Sequence, residues 1–183
     1  MSTASVRGAG PLSSIASLEG VDPQTVMLLA RQERVNSLQQ VLEQKVTRLE
    51  TLIDKRQQLN LLGTTLDRFC AELDKVPEGG YCGNKMTELL RSDEWSKVSG
   101  LAESIAFDPV SKRFARPRIA DAQKQSLAAV KSNAGVHISE LDKEFDGLKS
   151  EVRELSATMD YEMKAMQRSL RSEANHKNTM VAS

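Results

Sequence analysis

Between Val26 and Val76, and again between Val136 and Ser172, apolar residues recur at alternating steps of three and four. Leu28, Val35, Leu38, Leu42, Leu49, Leu52, Leu59, Leu66, Cys70 and Leu73 fall on one face at heptad spacing, the seam of a coiled coil. A second seam runs Ile138, Leu141, Phe145, Leu148, Val152, Leu155, Met159, Met166. A period of about 3.5 residues is incompatible with the alternation of a half-buried strand, so the chain is restricted to helices that pack on helices. The expected fold is all-α: an elongated helical hairpin or coiled-coil bundle with a small helical insert at its turn.

Composition agrees with a thin structure. Only seven of the 183 residues are aromatic, and aromatics usually fill the thick middle of a globular core. Acids and bases balance at 25 each, so any preference for nucleic acid or an anionic membrane must be local. No apolar run approaches the roughly 18 residues that a membrane span needs. Cys70 and Cys82 form no paired framework, which suits a reducing compartment, the cytoplasm first and the nucleus second, without excluding a disulfide between them.

The chain divides into five segments. Residues 1–21, rich in Ser, Ala and Gly, read as a disordered tail; their lack of acids before Glu19 faintly resembles a targeting segment, although Arg7 is the lone arginine. Asp22-Pro23 is a helix start, and the helix of 22–76 extends for roughly 75 Å at about 1.5 Å per residue. Gly63, on the seam, predicts a close helix crossing or a bend. Arg31, Lys45 and Arg56 also occupy seam positions and are costly in an isolated two-stranded coil, whereas Val46 and Ile53 widen the apolar stripe beside it. That stripe suits a bundle better than a lone dimer.

The insert, 77–119, contains Pro77 and Gly79-Gly80, two short helices at Lys85–Leu90 and Asp93–Ile105, and a basic extended loop. Ser92 caps the second helix, with Asp93 and Glu94 in its first turn. A second long helical region follows over 120–172, with a break near 133–135 and a frayed tail at 173–183. Its acids, Glu140, Asp142, Glu144 and Asp146, precede its bases, Lys164, Arg168 and Arg171, as the helix dipole favours. An antiparallel hairpin is the favoured arrangement; two arms that each pair with another chain are the rival.

No constellation for catalysis stands out. Gly79-Gly80-Tyr81-Cys82-Gly83-Asn84 lacks the Lys-Ser or Lys-Thr of a phosphate loop and reads as a turn. His137 and His176 are remote from the cysteines, so no zinc site, catalytic residue or cofactor is expected. No small-molecule substrate is expected either.

Function is expected from surfaces. The residues assigned to partner-helix packing are Leu28, Val35, Leu38, Leu42, Leu49, Leu59, Leu66, Ile138, Leu141, Phe145, Leu148, Val152, Leu155, Met159 and Met166. The Met159, Met163, Met166 stripe reads as seam, although methionine also adapts to irregular partners. Trp95, Phe107, Lys112, Arg113, Phe114, Arg116 and Arg118 form a candidate docking loop, against the plainer reading that Trp95 and Phe107 plug the core of the insert. The expected function is a non-catalytic coiled-coil scaffold or adaptor subunit whose partners are other helical subunits or a second copy. The alternative is a nucleic-acid- or chromatin-associated helical protein acting through the basic loop 110–119, disfavoured by neutral charge and the lack of a stacking platform.

Overall fold

Asp22-Pro23 opens α1, which runs unbroken from Pro23 to Leu73 and is followed by α2 (Gly83–Leu90), α3 (Asp93–Ser104) and α4 (Ala120–Val181). This architecture comes from a computed structural model that describes residue 20 and residues 22–106 and 115–181. The fold is all-α, and α1 packs against α4 as an antiparallel hairpin. The expected disordered tail lies almost wholly outside the described residues, as do residues 107–114 of the basic loop. Two compact units make up the chain: a terminal unit, Met1–Gln44 with Arg153–Ser183, and a central unit, Lys45–Val152.

The central unit holds the core. Leu52, Leu59, Leu62, Leu66, Phe69 and Leu73 of α1 are buried with Met86 and Leu89 of α2, Trp95, Val98 and Ala102 of α3, and Leu127, Val130 and Ala134 of α4. Ser92 caps α3 as its sequence predicts, its hydroxyl accepting from Trp95 N at 3.3 Å. That cap aims the indole inward, where Trp95 and Phe69 stack with ring centroids 5.5 Å apart.

Chain entry to the insert and exit from it are fastened together. Gly80 N donates to Pro77 O at 2.8 Å, closing a turn that requires the positive φ of 69° at Gly79. Cys82 N donates to Arg118 O at 2.9 Å and Ala120 N to Gly80 O at 3.1 Å, around an antiparallel bridge between Tyr81 and Ile119. A Cβ at Gly83 would lie 2.2 Å from the Tyr81 hydroxyl, so the exposed Tyr81 ring would have to swing aside for any larger residue. Gly79-Gly80 is therefore a turn, as its sequence suggests, whereas Gly83 and Asn84 of the same cluster form the start of α2, two residues ahead of the expected Lys85.

Three expectations about the long helices change. No break occurs at 133–135: α4 continues through it because Ala134 is buried and Asn133 Nδ2 donates to Ile105 O at 3.1 Å. The helix also passes the expected frayed end, since 173–181 contains neither glycine nor proline and Thr179 bonds back to Asn175 O. Gly63 marks no close crossing, for an added Cβ would meet nothing within 4 Å. Gly63→Ala is thus expected to raise stability by about 0.5–1 kcal/mol through helix propensity alone; a urea titration showing a loss would reveal a neighbour that needs the space.

One buried group is left without compensation. Gln123 is fully buried in the central unit, and neither Nε2 nor Oε1 has a hydrogen-bond partner among the described residues. An orphaned buried amide costs about 1–3 kcal/mol, so Gln123→Met, of similar volume, is expected to stabilise the protein by about that amount. Destabilisation on calorimetry would mean that the amide is hydrogen-bonded in solution.

Candidate functional site

Charge on the seam is the point at which the two long helices recognise each other. Each basic residue that interrupts the α1 stripe meets an acid of α4. In the terminal unit Arg31 Nη1 donates to Glu162 Oε2 at 2.8 Å, joined by Arg34 Nη1 on Oε1 at 2.9 Å. In the central unit Lys45 pairs with Glu151, and Arg56 Nε donates to Asp142 at 2.7 Å. Asp142 raises the Arg56 pKa further, chiefly by this hydrogen bond. Partner numbers on α4 fall as those on α1 rise, which is the antiparallel register; Arg48–Glu144 and Lys131–Asp67 continue it.

These pairs differ in burial, and burial decides their worth. The Glu162 side chain is only 7 % exposed, whereas Arg56 and Asp142 are about half exposed. Exposed pairs contribute roughly 0–1 kcal/mol. Glu162 is absent from the residues expected to act, although its spacing of three from Met159 and four from Met166 is seam spacing. An acid on one seam and an unmatched base on the other was the signal available.

Burial also sorts the residues expected to pack against partner helices. Leu59, Leu66 and Leu141 are buried in the central unit, with Leu49, Ile138, Phe145, Leu148 and Val152 half-buried. In the terminal unit Val35 is buried, but Leu28, Leu38, Leu42, Leu155, Met159 and Met166 are half-buried. Nearby, Met27, Leu29, Val41, Tyr161, Met163 and Leu170 are exposed.

The docking-loop expectation is corrected at Trp95. Its side chain is 4 % exposed and packs on Phe69, so it is a core residue of the insert, as the plainer reading had it. Arg116 Nη2 donates to Glu103 at 3.1 Å, and Arg118, exposed, lends its backbone carbonyl to Cys82. Phe107, Lys112, Arg113 and Phe114 lie outside the described residues.

Both thiols are free in the structure. Burial pushes the Cys82 thiol up, and its Sγ–H points at Arg118 O, 3.2 Å away. The Cys70 thiol is raised first by burial and then by Asp67 and Asp74, against Lys124 and Lys131. Both arrangements favour the thiol over the thiolate, the opposite of an activated nucleophile. Among the described residues, no group of three or more His, Cys, Asp and Glu is arranged to hold a metal ion, and no helix is long and apolar enough to cross a membrane.

No protein-family model matches the chain, and no curated protein or solved structure matches it.

Proposed function

We propose that this chain is a non-catalytic coiled-coil scaffold or adaptor subunit of a larger assembly, of the cytoskeletal, motor-adaptor, kinetochore or tethering type, and that it acts through helix–helix association. The observation that carries this reading is the incomplete cover of the apolar residues in the terminal unit. Two helices alone leave Leu28, Leu38, Leu42, Leu155, Met159 and Met166 only partly buried, with Met163 and Leu170 open beside them. Apolar area left in water at about 25 cal/mol per Å² favours a further helix. A reducing compartment, cytoplasm first and nucleus second, suits the two free thiols.

The test is cross-linking mass spectrometry on the native complex, purified through a tag on this chain. Cross-links from 23–44 or 153–181 to helical segments of other chains are expected. Met163→Glu with Leu170→Glu should reduce their recovery at least tenfold while helicity by circular dichroism is unchanged, since both side chains are exposed. A chain recovered without such cross-links overturns the proposal. The nucleic-acid reading gains no specific observation, because Arg116 is engaged by Glu103.

A further inference from the structure

The terminal unit has two unlike flanks beside the α1–α4 seam. On one, Leu29, Met163 and Leu170 stand out into solvent. The other is hollow. A cleft of about 210 Å³ lies between Gln24, Met27, Leu28 and Arg31 of α1 and Ser169 and Ser172 of α4, and a second of about 200 Å³ continues it past Ala30 to Arg34. The short serine side chains leave the hollow, and Met27, 60 % exposed, forms its apolar wall. Helix periodicity keeps the flanks apart: Met27 and Leu29 are two positions apart on α1, as are Leu170 and Ser172 on α4, which is about 200° around each helix.

The chain itself arrives at the mouth of this cleft. Gly20 lies in a turn with a φ of 104°, a conformation that L side chains rarely adopt, just ahead of α1; the first residue of α1 to line the cleft is Gln24. What precedes that turn has the pattern of a short amphipathic helix. Leu12, Ile15 and Leu18 recur every third position, Ser13, Ser14 and Ser17 fall opposite, and Glu19 is the one charge between Pro11 and Gly20. Proline in the first turn and glycine just past the last are the usual brackets of a helix. A helix of residues 11–19 would be about 13 Å long, and the cleft from Gln24 to Arg34 runs about 15 Å at the same rise. So short a helix is marginal alone in water, and an apolar cleft at the end of its own tether, at an effective concentration of order mM, supplies what it lacks.

We infer that residues 11–19 fold back from Gly20 into this cleft as a short helix antiparallel to α1, completing a three-helix bundle in the terminal unit. Counted back from the turn at equal rise, Leu18 comes level with Gln24, Ile15 with Met27, and Leu12 with Ala30 and Arg31. Leu12 then rests on the aliphatic stem of Arg31, whose guanidinium group is held by Glu162. Attachment to α1 favours this occupant over a helix of another chain, which would have to displace it from solution. The segment that composition alone reads as a tail thereby gains a place in the fold. The inference goes beyond the scaffold reading: with the cleft filled from within, partner helices are directed to the flank of Leu29, Met163 and Leu170.

The experiment is amide hydrogen exchange, read by mass spectrometry, on the full chain over a dilution series. Peptides within 12–19 are expected to exchange about tenfold or more slower than an unstructured chain, to the same extent at every concentration. Ile15→Asp, Met27→Glu and Gly20→Val should each return them to the unstructured rate, while circular dichroism checks that the long helices are intact. Met163→Glu with Leu170→Glu, on the opposite flank, should leave the protection of 12–19 unchanged. Exchange of 12–19 at the unstructured rate in the unsubstituted chain overturns the inference. So does protection that survives Met27→Glu, which would place the segment elsewhere, or protection that fades on dilution as a doubled mass by light scattering falls to that of one chain, which would make the occupant a second copy's segment. None of these results touches cross-links made through Met163 and Leu170 in the native complex, so failure here and failure of the scaffold reading are separable.

Discussion

Replacing Phe69 by alanine is expected to cost the central unit about 3–5 kcal/mol, the range for deleting a fully buried phenylalanine. Phe69 has no exposed surface, and it is the residue on which α1 meets the indole of α3. The loss combines transfer of the ring with the cavity left beside Trp95 in the close-packed core. Loss of the aromatic pair accounts for about 0.5–1.5 kcal/mol of the effect. With a urea slope of roughly 1–3 kcal/mol per molar, the midpoint should fall by more than about 1 M. Trp95 is the chain's one tryptophan, so its fluorescence follows this core directly, and circular dichroism follows the helices. Phe69→Leu should recover much of the loss. A midpoint shift under about 0.3 M for the alanine variant would show that the insert does not depend on this contact.

The second large effect belongs to the terminal unit. Changing both Arg31 and Arg34 to alanine leaves Glu162 buried with no counter-charge, a situation that costs about 3–5 kcal/mol. The reverse change, Glu162→Ala, should cost less, because Arg31 and Arg34 are 30 % and 67 % exposed and keep access to water. Arg34→Ala alone should fall within about 1 kcal/mol, as for other exposed partners. Amide hydrogen exchange over 23–44 and 153–181 checks the order. Protection should drop by about two to three and a half powers of ten in the double variant. Equal losses for the double arginine change and for Glu162→Ala would mean that burial of the carboxylate is not what sets the cost. The pair serves register as well as stability: sliding α4 by one turn would put Met159 or Met166 against Arg31 and strand the charge among apolar groups.

Much of the fold is legible locally because its determinants lie within a few residues of one another. Asp22-Pro23 starts α1 and Ser92 caps α3 through bonds that span three or four positions. Gly79-Gly80 makes a turn because only a residue tolerant of positive φ fits. Breaker residues are less reliable guides. Asn133-Ala134-Gly135 looks like an interruption in isolation, yet packing against α3 overrides the weak propensity, since Asn133 finds a carbonyl and Ala134 is sealed in the core.

The same division runs through the candidate sites. Heptad spacing marks Leu59, Leu66 and Leu141 as seam residues, and the structure buries them. Spacing could not show that Trp95 turns inward, that Arg31, Lys45 and Arg56 are each met by an acid, or that α3 lies on one flank of the seam and leaves Val46 and Ile53 bare on the other. Sequence by itself determined that the chain is helical, where its helices start and which stripe is apolar, because hydrogen bonding and periodicity act over single turns. Tertiary structure decided which charges are compensated and which flank stays open, because those depend on side chains that meet across a hundred or more residues of chain, as Arg31 and Glu162 do.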